Sequence, residues 1–479
     1  MNPTPDPTPA AVQETDAGRN FSLSVITGFA ILGLLLTSIW NFGGFTEQLQ
    51  ALYYTNVKDS NYNLLATISI LFEGKMATML AISFGAGIVL LVQKKEPNSS
   101  IDGIDAHIRK QICLIILGLF VGLILLWPND LLFPFGIVGI LLFAFWNLPA
   151  KSLFIAAMVC SMIYCGKNFW YYADDKADYK AYLVVKSIEK KFSDDSAARS
   201  IKLGFIKSKD SASQKEILTK KILADSLAKK KDTLNSKQVE EKGKWEGLLK
   251  SLKYDSAKVA ADKKSMRQGY SKMWFYLKDR VQNKETSGVY SIGVWEFSAA
   301  MFLGMALLAI GFFHRRFSSA TYLILAVVLI SLGVAFAFFR IHSTTLRLTD
   351  YVKYFDRFAI PYNQFLPLEK LFLATGYATL LMWLLKIQSL QGVMKIFSSV
   401  GRLALTNYFL QVLIGSFWFY GYGLGYYGMF DQWELYAAVA EITLVQIVVS
   451  VFWLRYYKLG PLEWAMKSII YQRKFPNHL

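Results

Sequence analysis

Four short polar clusters interrupt otherwise apolar sequence, and each could do chemistry. Glu73-Gly74-Lys75 puts a carboxylate and an ammonium into an apolar run, where charge is costly unless paired or wetted. The Trp127 to Asp130 turn offers an acid. Gly401-Arg402, running into Thr406-Asn407-Tyr408, offers a guanidinium, a hydroxyl, an amide and a phenol. Gly460-Pro461-Leu462-Glu463-Trp464 adds a second acid beside an indole. Each cluster also has a structural reading. Glu73 and Lys75 can satisfy each other, Asp130 can cap a helix, and Arg402 can anchor at an interface. Gly460-Pro461 can turn the chain into a helix lying on the membrane surface, with Trp464 and Tyr471 at headgroup depth. No metal motif is visible, and Cys113, Cys160 and Cys165 all lie in apolar segments, where a thiol packs as a small hydrophobe. Acid–base transfer near neutral pH favours histidine; the four present, His107, His314, His342 and His478, fall in predicted loops or tails.

The elements that must position these groups are membrane helices. Hydrophobic residues make up 54% of the chain, aromatic residues 15% and charged residues only 18%, the wrong balance for 479 residues of soluble domains. The mean hydropathy of +0.31 averages two materials. Apolar runs of about 20 residues, enough to cross a bilayer, alternate with loops, while residues 172–290 hold 28 Lys and Arg against 17 Asp and Glu. The reading is an all-α polytopic membrane protein with about ten transmembrane helices and a helical extracytoplasmic insertion. A disordered tail (1–20) precedes a first half of about five spans (21–171), the lysine-rich insertion (172–290), a second half of about five spans (291–454) and an amphipathic tail (455–479). Glu73, Gly74 and Lys75 should break the second apolar region, and Pro128-Asn129-Asp130 should close a helical hairpin.

Short-loop charge sets orientation. Lys94, Lys95, Arg109, Lys110, Lys151, Arg315, Arg316, Lys386, Lys395, Arg402 and the basic tail fall on one side, which places both termini in the cytoplasm and the insertion outside. The stretch 340–363, with Arg340, Arg347, Lys353 and Arg357, dissents. Within the insertion, Trp245, Leu248, Leu249 and Leu252 form one helical stripe, Met266, Tyr270, Met273 and Leu277 a second, and Ile217 to Leu227 a third; each needs a partner, and they are expected to pack on one another. Lys229-Lys230-Lys231 and Lys263-Lys264 are the candidate anion-binding groups, for lipid headgroups or an anionic envelope polymer. The alternative is that lysines interleaved with acids merely solvate the helices. Nucleic acid is no partner outside the cell.

The string from Gly401 to Gln411 (GRLALTNYFLQ), with Gly415, Phe419 to Gly423 (FYGYG) and Gly460 to Trp464 (GPLEW), closely resembles the YeiB-like family, catalogued as domain of unknown function number 418. Glu73 to Lys75, Phe84 to Gly87, Trp127 to Leu132 and Leu303 to Met305 resemble its weaker markers. That family is similar in layout to membrane acyltransferases, which pass an acyl group from a cytoplasmic donor to an extracytoplasmic acceptor. The resemblance implies acyl-coenzyme A as donor if the scaffold is catalytic; no other cofactor is evident. Those enzymes carry an arginine and a histidine eleven positions on in their first helix; here Thr27 and Ser38 stand there, Ser24 where an acid is common, and Gly122 where relatives often carry a histidine. The expectation is an acyltransferase-like scaffold in a bacterial inner membrane, acting on an envelope glycan, lipid or small acylated molecule, with Glu73, Lys75, Asp130, Arg402 and Asn407 as the polar membrane site. The alternative is a transporter or a non-enzymatic lipid-handling or anchor protein.

Overall fold

A computed structural model describes residues 9–44, 60–93, 101–207 and 234–478. Lys229, Lys230 and Lys231, and the stripe from Ile217 to Leu227, lie outside the described residues. The described chain is helical: α1 (Pro9–Phe42), α2 (Ser60–Leu71), α3 (Lys75–Gln93), α4 (Gly103–Leu123), α5 (Leu132–Leu142), α6 (Ala150–Lys207), α7 (Ser236–Leu252), α8 (Ser256–Met266), α9 (Tyr270–Asn283), α10 (Val294–Ala309), α11 (Ser319–Thr349), α12 (Tyr351–Arg357), α13 (Leu366–Leu384), α14 (Gln391–Arg402), α15 (Ala404–Phe419), α16 (Gln432–Tyr456) and α17 (Pro461–Tyr471). A π-helical stretch, Lys284–Gly293, joins α9 to α10. Among the described residues eight helical stretches are long and apolar enough to cross a membrane, and Leu132–Phe145 and Ala404–Phe419 are shorter apolar helices. This is a polytopic all-α membrane protein. Helix α1 already begins at Pro9, inside the tail expected to be disordered to residue 20.

The chain divides into two compact units. The first comprises Met1–Lys167, Tyr254–Thr345 and Pro361–Leu479, and the second Asn168–Lys253 and Leu346–Ile360. These cuts differ from the sequence boundaries, because 254–290 belongs with the apolar helices.

In the first unit the expected break falls between α2 and α3, where Gly74 adopts φ +75° and the Lys75 amide closes a turn onto the Phe72 carbonyl at 3.2 Å. Only glycine takes that backbone cheaply. Helices α4 and α5 pack as the expected hairpin, and Asp130 Oδ2 caps the start of α5 by accepting from the Phe133 amide at 2.7 Å. Helix α16 starts from a reciprocal Asp431–Glu434 capping box, and α17 starts with Pro461 at its first position, where a missing N–H costs nothing.

Helices α1 and α14 touch backbone to backbone. A Cβ on Gly28 would strike the Phe397 carbonyl, and one on Gly401 the Ser24 carbonyl. Gly401→Val should therefore cost about 1–3 kcal/mol through overpacking. In detergent the variant is expected to unfold several degrees below wild type; an unchanged thermal midpoint would mean that α14 moves away freely.

The second unit has its own core. Tyr172 and Tyr179 of α6, Trp245 of α7, and Tyr351, Tyr354 and Phe355 of α12 are buried together, with Leu248, Leu249 and Leu252 packed against them. The hydroxyls find acceptors: Tyr179 donates to Asp356 and Tyr351 to Asp175, each at 3.0 Å, and Tyr172 to the Phe358 carbonyl at 2.6 Å. The two described stripes of the insertion therefore fall in different units. Trp245 and its leucines belong to this core, whereas buried Met266, Met273 and Leu277 belong to the first unit.

Candidate functional site

Two polar centres lie in the first unit, at opposite ends of α3. At its start, the Lys75 ammonium (0% exposed) is 2.6 Å from Glu369 Oε1 (1% exposed), and it also donates to the Ser69 carbonyl at 2.8 Å. Arg340 of α11 reaches the other Glu369 oxygen at 2.8 Å and lies 3.7 Å from Glu73. Ser69 donates to Glu73. Beside Gly74, Lys370 pairs with Glu296 at 2.6 Å. Three cations thus meet three carboxylates, the paired form in which charge survives among apolar helices.

Glu73 and Lys75 are therefore not each other's partners. Glu73 lies in the turn before α3 and is engaged by Ser69, while Lys75 opens α3 and selects Glu369. Arg340, read from sequence as a loop charge, sits inside α11 at 8% exposure.

The second centre is a cavity of about 280 Å³ toward the other end of α3. Ile31, Leu80, Phe84, Leu114 and Phe135 give it apolar walls. Its polar groups come from Ser83, Lys110, Arg402, Tyr408 and Glu463. The Lys110 ammonium lies 4.9 Å from the centre of the Phe84 ring, a cation–π contact. Arg402 is exposed and donates to the Lys458 carbonyl at 2.9 Å. Among the described residues neither cation forms an ion pair. Glu463 is already engaged, accepting from the Thr406 amide at 3.0 Å and the Thr406 hydroxyl at 2.5 Å. It caps the start of α15 from another helix, where the dipole favours an anion. Burial pushes its carboxyl above the usual range, and the Thr406 bonds pull it back.

The five residues expected to form one site are thus divided. Lys75 lies about 7–18 Å along α3 from the cavity residues Leu80, Ser83, Phe84 and Gly87, at 1.5 Å per residue. Asn407 is buried away from the cavity lining. It donates to the Val400 carbonyl at 3.0 Å and to the Ser450 hydroxyl at 2.9 Å, within a ladder including Gln411 and Gln446 that ties α15 to α16. Asp130 meets the cavity indirectly, through the Tyr408 hydroxyl at 3.0 Å. Of the tail motif, Glu463 reaches the cavity while Gly460 packs against it and Trp464 donates to the Phe475 carbonyl at 2.8 Å. Lys263 and Lys264 fall in the last turn of α8, in the first unit. His107, read as a loop residue, is buried in α4 against the Gly139 carbonyl at 3.0 Å and outside the cavity lining.

The fold and site define a polytopic membrane protein with a mainly apolar cavity bordered by two cations that form no ion pair among the described residues. Residues 287–473 match the family described as protein of unknown function (DUF418). Along 94% of its length the chain is 24% identical to the uncharacterized protein YeiB of Escherichia coli (strain K12), covering 96% of that relative. It is 37% identical over 100 residues to the uncharacterized protein YxaH of Bacillus subtilis (strain 168), which is 21% of this chain and 25% of that one. No solved structure matches. The chain is thus similar to YeiB along nearly its whole length, and its C-terminal part matches the DUF418 family.

Proposed function

We propose that the protein binds an anionic, acyl-bearing amphiphile in the α3–α15 cavity and handles its acyl group as an acyltransferase-like membrane protein. The observation that carries this reading is the combination of apolar walls with Lys110 and Arg402, two cations that form no ion pair among the described residues. Apolar walls with a few convergent polar groups suit such a ligand, and unpaired cations suit a phosphate-bearing head. The acyl chain would lie along Leu80, Phe84, Leu114 and Phe135. Palmitoyl-coenzyme A is the probe: it should bind the purified protein saturably, and Lys110→Ala and Arg402→Ala should each weaken binding about tenfold, with binding falling as salt rises. Equal affinity in the double variant would remove the reading.

The orientation belongs to the same proposal: a bacterial inner membrane, both termini cytoplasmic, the cavity's cations toward the cytoplasm and Asn168–Lys253 outside. The dissenting stretch supports it. Arg340 is held in the buried ion cluster, and Arg347, Lys353 and Arg357 belong to the second unit; charges on a folded domain carry little weight in the loop rule. With the three native cysteines replaced, a cysteine at position 211 should react with an impermeant maleimide in intact spheroplasts and one at position 99 should not. The reverse pattern would invert the topology. The lysine clusters are proposed to draw the protein toward anionic headgroups or polymers.

A further inference from the structure

The wall of the cavity at Tyr408 leads to two carboxylates, Asp130, which is half-buried, and Glu285, which is buried. The Tyr408 hydroxyl donates to Asp130 Oδ1 at 3.0 Å and accepts from the Leu131 amide at 3.0 Å, so the phenol is held between the cavity and the acid. The other Asp130 oxygen accepts from the Phe133 amide at 2.7 Å. Beyond it stands Glu285, on the π-helical stretch, at 8% exposure. Its Oε1 is buried with no hydrogen-bond partner. Both acids lie over one stripe of α4. A Cβ on Gly118 would meet Asp130 Oδ2 at 2.6 Å, and a Cβ on Gly122, one turn on, would meet Glu285 Oε1. The charged neighbour of Glu285 is Asp130, and no cation pairs with either among the described residues. An unpaired buried carboxylate oxygen is expensive as mere packing. A π-helical segment, which shifts a side chain out of α-helical register, recurs at functional sites.

We propose that Tyr408, Asp130 and Glu285 form a proton relay serving acyl transfer in the cavity. The inference rests on the reading that an acyl carrier binds there. The acceptor's hydroxyl oxygen bonds to the acyl carbonyl carbon as the bond from that carbon to the carrier sulfur breaks. The hydroxyl proton passes to the Tyr408 oxygen while Tyr408 gives its own to Asp130 Oδ1. Asp130 then holds that proton, and the nearby carboxylate of Glu285, with no counter-cation between them, favours its protonation. The proton returns along the same path to the departing thiolate, so atoms and charge balance without a further reactant. Tyr408 is the group that touches the reacting atoms; Asp130 and Glu285 act through it.

The test uses the full chain in nanodiscs, with palmitoyl-coenzyme A as donor probe and octyl glucoside as hydroxyl acceptor, reading binding and free-thiol release on the same samples. Wild type should bind and release thiol. Tyr408→Phe, Asp130→Asn and Glu285→Gln should bind within about twofold of wild type but release thiol at least about 100-fold more slowly, the scale of general acid–base catalysis. Glu285→Asp should recover part of the rate, which a packing role would not produce. Should Tyr408→Phe lose binding as well, Glu285→Gln, which alters no group of the cavity wall, decides on the same criterion. Wild type that binds without releasing thiol, or Glu285→Gln that releases it at the wild-type rate, would overturn the relay while leaving the binding reading intact. Wild type that does not bind would remove the binding reading, and the relay with it.

Discussion

Glu369→Ala is expected to destabilise the first unit by about 3–5 kcal/mol, because it strands two buried cations at once. Lys75 and Arg340 both spend their charge on this carboxylate, at 2.6 and 2.8 Å, and Lys75 is wholly buried. Among the described residues the neighbouring acids are already engaged: Glu73 is held by Ser69 and lies 3.7 Å from Arg340, and Glu296 serves Lys370. Replacing the triad with apolar residues, as Lys75→Met, Arg340→Met and Glu369→Leu together, should recover much of the loss, because desolvation then disappears along with attraction. Thermal unfolding in detergent compares the three proteins. A single variant as stable as wild type would mean that water reaches the cluster.

Trp245→Ala should cost the second unit about 3–5 kcal/mol, as for other fully buried large aromatics. The indole is 0% exposed and stacks at 5.4 Å on Tyr351, with Tyr179 at 4.9 Å and Phe355 at 5.8 Å. Limited proteolysis reads the loss: cleavage within Asn168–Lys253 should accelerate sharply, and cleavage rates equal to wild type would show that the tyrosines hold the core without the indole.

Much of the fold was legible because hydrophobic runs and their interruptions are local properties. The break at Gly74, the hairpin at Pro128 to Asp130 and the helical stripe from Trp245 to Leu252 each follow from residues a few positions apart. Pairing is not local. Glu73 and Lys75 looked like partners through sequence proximity, yet Lys75 finds Glu369 far downstream, and only the packing of α3 against α13 decides that. Arg340 looked like a loop residue because apolar sequence ends there, although α11 continues to Thr349. Glu369-Lys370 inside a predicted span was the signal that could have revealed the cluster.

The candidate site divides the same way. Arg402 and Glu463 stood out as polar groups beside apolar segments, and both border the cavity. Asn407 stood out equally and serves a helix–helix ladder instead, a role that polar residues in spans share with binding. Lys110 was read only as an orientation marker and Glu285 as one acid among many in a lysine-rich stretch. Neither acquires meaning until α4 carries Lys110 over Phe84 of α3 and sets Gly122 beside Glu285.

The central claim is that an anionic amphiphile lies inside the protein. It is tested most directly by photocrosslinking with palmitoyl-coenzyme A carrying a diazirine in its acyl chain, followed by mapping of the modified peptides. The account predicts adducts at Leu80, Phe84, Leu114 and Phe135 that excess unlabelled palmitoyl-coenzyme A competes away and Lys110→Ala diminishes. Adducts confined to the exposed apolar stripe of α6 at Ile155, Met158, Val159 and Met162, unaffected by competitor, would contradict it.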